Sequence, residues 1–253
     1  MTILVGFLCK DGVVVGADSS ATFAASPHPS HRTIEQRVQK IHVIRGQAIV
    51  AGTGEVGFGQ RFTQIVDAYI GNGHHGKPYL TVGKELAGSM VQNWRESGMN
   101  PGGFGALVAY CRDGKFQLCE FGPTNFQPEF KTDNLWYVSM GGGQMIADPF
   151  LGFIRHTFME DGLPTLSEAI FYATWVLDHT IELNPGGING PVNIAVICSH
   201  PTKLHEARML SVEEIGQHRE NVNGVYTHLR EYKKLLAGGG SQPPIPAPPA
   251  PPK

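Results

Sequence analysis

Hydrophobic positions along this chain follow two periods. Residues 3–8 (Ile-Leu-Val-Gly-Phe-Leu) form an unbroken apolar run, Lys10-Asp11-Gly12 is a turn signal, and Val13-Val14-Val15 opens a return run. Apolar runs joined by Asp-Gly predict a β-hairpin with strands at 2–9 and 13–18. A second pair follows at 38–44 (VQKIHVI) and 47–52 (QAIVAG). The stretch between them, 19–36, is polar and holds Pro27 and Pro29, so it reads as a loop. At 55–70 the period becomes helical, with Phe58, Phe62, Ile65, Val66 and Tyr69 on one face. Beyond a Gly/His/Pro-rich loop at 71–79, Thr81 is the expected N-cap of a second helix, with Val82, Leu86, Met90, Val91 and Trp94 as its buried stripe.

Strands resume at 104–111 and 115–121 around an Arg112-Asp113-Gly114-Lys115 turn, and a further strand at 135–140 runs into Gly141-Gly142-Gly143. Helices are predicted near 144–160 and 165–182, the second opened by Pro164-Thr165 with Ser167 and Glu168 in its first turn. Strands at 191–198 and 206–212 precede a last, charged helix at 213–235. Strands, two helices, strands and two helices argue for stacked layers rather than alternating βαβ units. Two antiparallel sheets packed face to face between helix pairs satisfy this order, an α+β fold. Residues 2–236 read as one domain. Residues 237–253, Gly-Gly-Gly-Ser and then almost only Pro and Ala from Gly238, read as a disordered Gly/Pro-rich tail.

Composition narrows the function classes. The 253 residues are 41% hydrophobic and 17% charged, with a formal net charge of -2. That balance leaves no electrostatic footprint for nucleic acid or an anionic membrane, and no apolar run approaches the roughly 20 residues of a membrane span. The start lacks the basic and apolar regions of a signal peptide, so a cytoplasmic location is expected. Cys9, Cys111, Cys119 and Cys198 sit singly in apolar runs, as reduced core cysteines do. His28, His31, His74 and His75 lie in polar loops without a matching ligand set, so no metal is assigned and no cofactor is expected. Gly52-Thr-Gly54-Glu-Val-Gly57 is a literal G-x-G-x-x-G, yet no strand with an acidic residue follows about 20 positions on, as a dinucleotide site requires. Its physical content survives: small residues at a helix start let backbone N–H groups approach a ligand oxygen.

The chemistry-bearing residues gather around the N-terminus. A strand that begins at residue 3 holds Thr2 at the edge of a buried sheet, a costly place for a charged amine without a task. Thr2 is small enough to allow removal of Met1, which leaves a hydroxyl nucleophile and a free α-amine on one residue. An α-amine titrates near 7.7–8.0 and can act as base for its own hydroxyl. A nearby lysine would keep the amine neutral and stabilise the alkoxide, and a carboxylate would hold that lysine. Asp18, ending the first hairpin, and Lys40, mid-strand in an apolar run, are placed to return to residue 2. Each alone reads as an ordinary turn carboxylate or edge lysine; together with Thr2 they do not.

Thr2, "GADSSAT" at 16–22, "QKIHVI" at 39–44, "AGTGEVG" at 51–57 and "YVSMGGG" at 137–143 resemble, in order, the β-type subunits of the proteasome family of N-terminal nucleophile hydrolases. The resemblance covers roughly residues 2–212. "DHTIELN" at 178–184 is closest to the bacterial ancestral-β-like group, which, like the two-tier heat-shock peptidase, starts directly with Met-Thr. It implies a four-layer αββα sandwich and a threonine-type peptidase. Thr2 would be the nucleophile, Asp18 the orienting carboxylate, Lys40 the catalytic lysine and the Gly52 N–H the oxyanion donor. It also implies a homo-oligomeric ring or stack, unfolded protein or peptide substrates, and an ATPase unfoldase as a candidate partner.

The sequence departs from the family's pattern in three places. The loop before Lys40 is longer. Gly142 stands where the family places a serine in the Gly-rich turn, with Ser139 nearby on the strand. The aspartate and serine usual before the penultimate strand have no match in "ELNPGGINGPVN", where Asn184 is the nearest polar group apart from Asp178. Ser139, Gly142 and Asn184 are therefore the helper candidates. Two other readings compete: a catalytically silent ring subunit, and a small-molecule amidase with the same nucleophile.

Overall fold

A computed structural model describes residues 1–23, 34–73, 77–100, 102–158, 162–184, 186–202 and 204–238. His28, His31, His74, His75 and the tail from residue 239 lie outside the described residues. Twelve strands and five helices run in the order β1 (Leu4–Leu8), β2 (Gly12–Ala17), β3 (Ser20–Phe23), β4 (Ile34–Arg37), β5 (Ile41–Ile44), β6 (Ala48–Gly54), α1 (Val56–Gly71), α2 (Tyr79–Glu96), β7 (Phe104–Arg112), β8 (Lys115–Phe121), β9 (Pro128–Phe130), β10 (Tyr137–Met140), α3 (Gln144–Phe158), α4 (Leu166–Leu183), β11 (Asn193–Cys198), β12 (Glu206–Met209) and α5 (Val212–Gly238) among the described residues.

They form two five-stranded antiparallel sheets, β10-β1-β2-β11-β12 and β5-β6-β7-β8-β9, plus the short β3-β4 ribbon. The sheets pack face to face, and one hydrophobic cluster joins their inner sides, for example Val13 and Val15 with Ile49, Leu107 and Leu118. The same cluster continues through the first sheet to Leu151, Trp175 and Leu177 of α3 and α4. Every residue of β1 and β2 is therefore buried, which explains their continuous apolar runs. On the far side of the second sheet, α1 and α2 enclose a separate aromatic cluster in which Phe62 meets Phe104, Phe121 and Phe126 edge to face. The architecture is the mixed α+β sandwich the patterning predicts.

Both Asp-Gly turns appear. Asp113 and Gly114 both have positive φ, the primed-turn geometry that matches strand twist. Asp11 also accepts the Leu166 N–H at 2.7 Å, tying the first hairpin to the start of α4. Thr165 and Glu168 close the capping box there.

Four expectations change. Segment 19–36 is not all loop: β3 and β4 pair from Ser20 with Arg37 to Phe23 with Ile34. The strand expected from 38 begins at Ile41, because Val38 still donates to the Ser19 carbonyl, continuing the ribbon. The cap of α2 is Pro78 rather than Thr81; its φ of -54° is preset for a helix start, and Thr81 already donates to the Pro78 carbonyl. Finally, α5 packs over α4 as a third helix on that side, pinned by a bidentate Arg219–Asp178 pair at 2.7 and 2.9 Å, and it continues through Gly238.

Candidate active site

Residue 2 is held from both flanks. The Thr2 carbonyl accepts the Gly143 N–H at 3.0 Å. The turn can approach this closely because Gly141, at φ +97°, has no side chain: a Cβ there would lie 2.4 Å from the Thr2 carbonyl oxygen. On the other flank Asp18 and Ile3 exchange bonds, the Ile3 N–H reaching Asp18 Oδ1 at 3.0 Å and the Asp18 N–H reaching the Ile3 carbonyl at 3.3 Å.

Asp18 is fully buried and its carboxylate accepts three hydrogen bonds. Besides Ile3 it accepts the Ser20 N–H at 3.0 Å on Oδ2 and Lys40 Nζ at 2.6 Å on Oδ1. The β3-β4 ribbon makes this meeting possible: it leaves β2 at Ser20 and returns at Arg37, delivering Lys40 beside Asp18 whatever the length between. Lys40 Nζ also lies 3.4 Å from the Met1 carbonyl oxygen, the carbonyl of the peptide bond that blocks the Thr2 nitrogen. Burial lowers the Lys40 pKa below the ordinary lysine value of 10.5, and the Asp18 charge and hydrogen bond offset only part of that.

A cavity of ≈ 370 Å³ opens beside these groups, lined by Met1, Thr2, Lys40, Gly52, Thr53 and Gly142 among others. The Phe104 ring packs against Gly52, where a Cβ would stand 2.8 Å from Cε2. The Gly52 N–H donates to the Lys40 carbonyl at 3.2 Å, so this amide is engaged. Gly142 borders Met1: a Cβ there would lie 3.2–3.3 Å from Met1 side-chain atoms.

Thr2, Asp18, Lys40, Gly52 and Gly142 thus come together. Ser139 and Asn184 are committed elsewhere. The buried Ser139 hydroxyl donates to Asp148 of α3, which also accepts from Gln144 at 3.0 Å, a contact that fixes the start of α3 against β10. Asn184 ends α4 and its side chain accepts the Gly186 N–H at 3.0 Å. The polar groups missed in the sequence are Ser19 and Asn193. Ser19 donates to the Pro191 carbonyl and receives Asn193 Nδ2 at 2.5 Å, and its own N–H reaches the Asn189 carbonyl at 2.9 Å. They tie the residue next to Asp18 to the segment before β11. Their only sequence signal was polar residues inside otherwise apolar strand ends.

Among the described residues, no group of three or more His, Cys, Asp or Glu is arranged to hold a metal ion, and no helix is long and apolar enough to cross a membrane.

A family model described as proteasome subunit matches residues 2–177. No curated protein sequence matches. Among solved structures, a Gly-1 mutant of Anbu from Hyphomicrobium sp. strain MC1 is similar at 16% identity, covering 94% of this chain and 100% of that one with a TM-score of 0.69. Anbu, described as an ancestral beta-subunit, from Yersinia bercovieri covers 90% of this chain and 97% of its own at 14% identity and a TM-score of 0.63. A helical assembly of the Anbu complex from Pseudomonas aeruginosa matches over 98% of both chains at 15% identity and a TM-score of 0.63. At these identities the structural likeness speaks to the fold.

Proposed function

From the premise that this chain belongs to the proteasome subunit family, we propose that it is a threonine-type peptidase whose nucleophile is Thr2, freed by removal of Met1. The observation that carries this reading is the convergence of Thr2 with a fully buried Asp18 and a Lys40 ammonium 2.6 Å from it, beside a cavity.

The α-amine of Thr2 takes the Oγ proton as Oγ attacks the scissile carbonyl. Lys40, held charged by Asp18, disfavours protonation of the resting amine and stabilises negative charge on Oγ. The Gly52 N–H receives the oxyanion by giving up its 3.2 Å bond to the Lys40 carbonyl. On collapse the ammonium returns its proton to the leaving amine, and an ester to Thr2 remains. Water, deprotonated by the same amine, then releases the acid. Amide nitrogen is no base, so Met1 must be gone first, and its departure also opens the cavity it lines.

Copies of the chain assemble into a ring or stack, a reading supported by the family and by the helical assembly described for the Pseudomonas relative. Unfolded chains or peptides in the cytoplasm are the substrates. A silent ring subunit is the second reading, favoured by the engaged Gly52 amide and by the lack of a hydroxyl at Gly142. Hydrolysis of fluorogenic peptides by wild-type and Thr2→Ala protein separates them. The peptidase reading expects turnover in the first and none in the second; equal rates in both, or none in either, contradict it.

A further inference from the structure

The walls of the cavity beside Thr2 are uneven in charge and in hydrogen-bonding sense. Its charged side chains are Lys40 and Glu55 among the described lining residues. Lys40 is neutralised at 2.6 Å by Asp18. Glu55 forms no ion pair among the described residues. It is the N-cap of α1, yet its side chain makes no capping bond; its backbone alone is used, the N–H reaching the Gly103 carbonyl at 3.3 Å and the carbonyl accepting the Phe58 and Gly59 N–H groups at 3.1 and 3.2 Å. The neutral walls present acceptors. Thr63 spends its hydroxyl proton on the Gly59 carbonyl at 2.8 Å, which leaves its lone pairs to the cavity side. His42, half-buried, bonds the Gln39 backbone and is kept neutral by burial, so its second ring nitrogen accepts. Phe104 supplies an apolar wall, its Cε2 and Cζ edge nearest Gly52.

We propose that this cavity selects a basic side chain, Arg or Lys, on the acyl side of the cleaved bond, with Glu55 as its counter-charge. The inference rests on the peptidase reading above. A long cationic side chain matches each wall: the apolar stem lies along Phe104, and the head donates to Thr63, His42 and Glu55. An acidic side chain would face an unpaired carboxylate and acceptors with nothing to give them. An aliphatic one would leave the acceptors dry and unpaired. Glu55 also suits the N-terminus of α1 electrostatically, and that structural role alone would affect stability but not substrate choice.

The test uses full-length protein lacking Met1 and three peptide aminomethylcoumarin amides that differ only in carrying Arg, Leu or Glu before the scissile bond. The expected order of kcat/KM is Arg, then Leu, then Glu. Glu55→Gln should lower the Arg-to-Leu ratio about threefold to fivefold, the worth of a partly solvated ion pair, and Glu55→Lys should raise Glu above Arg. Leu or Glu as the best wild-type substrate overturns the proposal. So does an unchanged ratio in Glu55→Gln protein that has only lost melting temperature. Labelling by peptide epoxyketones locates the failure. Adducts on Thr2 that form equally with Arg and Leu probes overturn the selectivity alone. No adduct and no turnover overturn the peptidase reading, and the selectivity with it.

Discussion

Two buried lysines, Lys40 and Lys131, occupy opposite ends of the same chemistry. Each is less than a tenth exposed, 8% and 7%, and each reaches a carboxylate at 2.6 Å. Lys131 follows β9 at the sheet edge and binds two carboxylates, Glu120 and Glu129, which are themselves 23% and 57% exposed. Burial pulls its pKa down, but the two hydrogen-bonded carboxylates outweigh burial and the net shift is upward. Lys40 has one carboxylate partner, Asp18, which is shared with two backbone N–H groups, and there burial wins and the pKa falls. A buried lysine with two committed anions is a fastener for strand β9. A buried lysine with one anion, beside a cavity and next to residue 2, is tuned toward reactivity. Number of partners and neighbourhood, not depth, separate the two.

The comparison breaks first on activity. Thr2→Ala and Lys40→Ala should each lower peptide hydrolysis by about 10⁴-fold or more, because nucleophile and lysine act as a unit and their losses do not add. Lys131→Ala should leave kcat/KM within about twofold, as expected away from the reacting atoms. A comparable loss of activity in Lys131→Ala would erase the distinction. Asp18→Asn should fall between, on the order of 10²-fold, because the amide keeps one oxygen that can accept only on one side of the Ile3 and Ser20 N–H pair and no longer fixes the ammonium by charge.

Stability sharpens the contrast. Lys40→Ala strands a fully buried carboxylate that keeps only backbone donors, so it should cost about 2–4 kcal/mol. Lys131→Ala should cost about 1–2 kcal/mol, because Glu129 can turn to solvent. Urea titration of both variants reads the difference, and a larger loss for Lys131→Ala would contradict it.

The smallest effect is in pH, and its sign is opposite at the two sites. With the Lys40 pKa below 10.5 in the folded state, the unfolded chain keeps a proton that the native chain has already lost in that interval. The contribution of Lys40 to stability therefore rises with pH between the folded pKa and 10.5. For Lys131, raised above 10.5, the contribution is complete below 10.5 and is lost as pH climbs through the folded value. Melting temperatures of Lys40→Met and Lys131→Met relative to wild type across alkaline pH should diverge in opposite directions. Peptide hydrolysis should also lose its alkaline limb below 10.5, as Lys40 discharges.

Lys40 was legible in the sequence because a charged residue inside an apolar strand run is an anomaly that a motif could frame. Lys131 was not, since it follows the three-residue strand Pro128–Phe130, too short to show a period, and its burial is created by β8 and β9 meeting. The β3-β4 ribbon was hidden for a related reason. One apolar and three polar residues, as in Ile34–Arg37, carry no alternation, and the pairing lives in the backbone. The start of α2 did carry its signal in Pro78, which outranks a threonine three residues on. Ser139 was seen, but its partner Asp148 comes from a helix face that no linear spacing connects to β10.

The central claim, that Thr2 becomes an N-terminal nucleophile, is tested most directly by intact-mass and peptide mass spectrometry of active protein treated with a peptide epoxyketone. The reagent closes a ring with both the Thr2 hydroxyl and a free α-amine. The account predicts a chain beginning at Thr2, carrying one adduct mapped to that residue, with hydrolysis lost in proportion to labelling. Protein that hydrolyses peptides while retaining Met1, or that is inactivated by an adduct at any other residue, would contradict it.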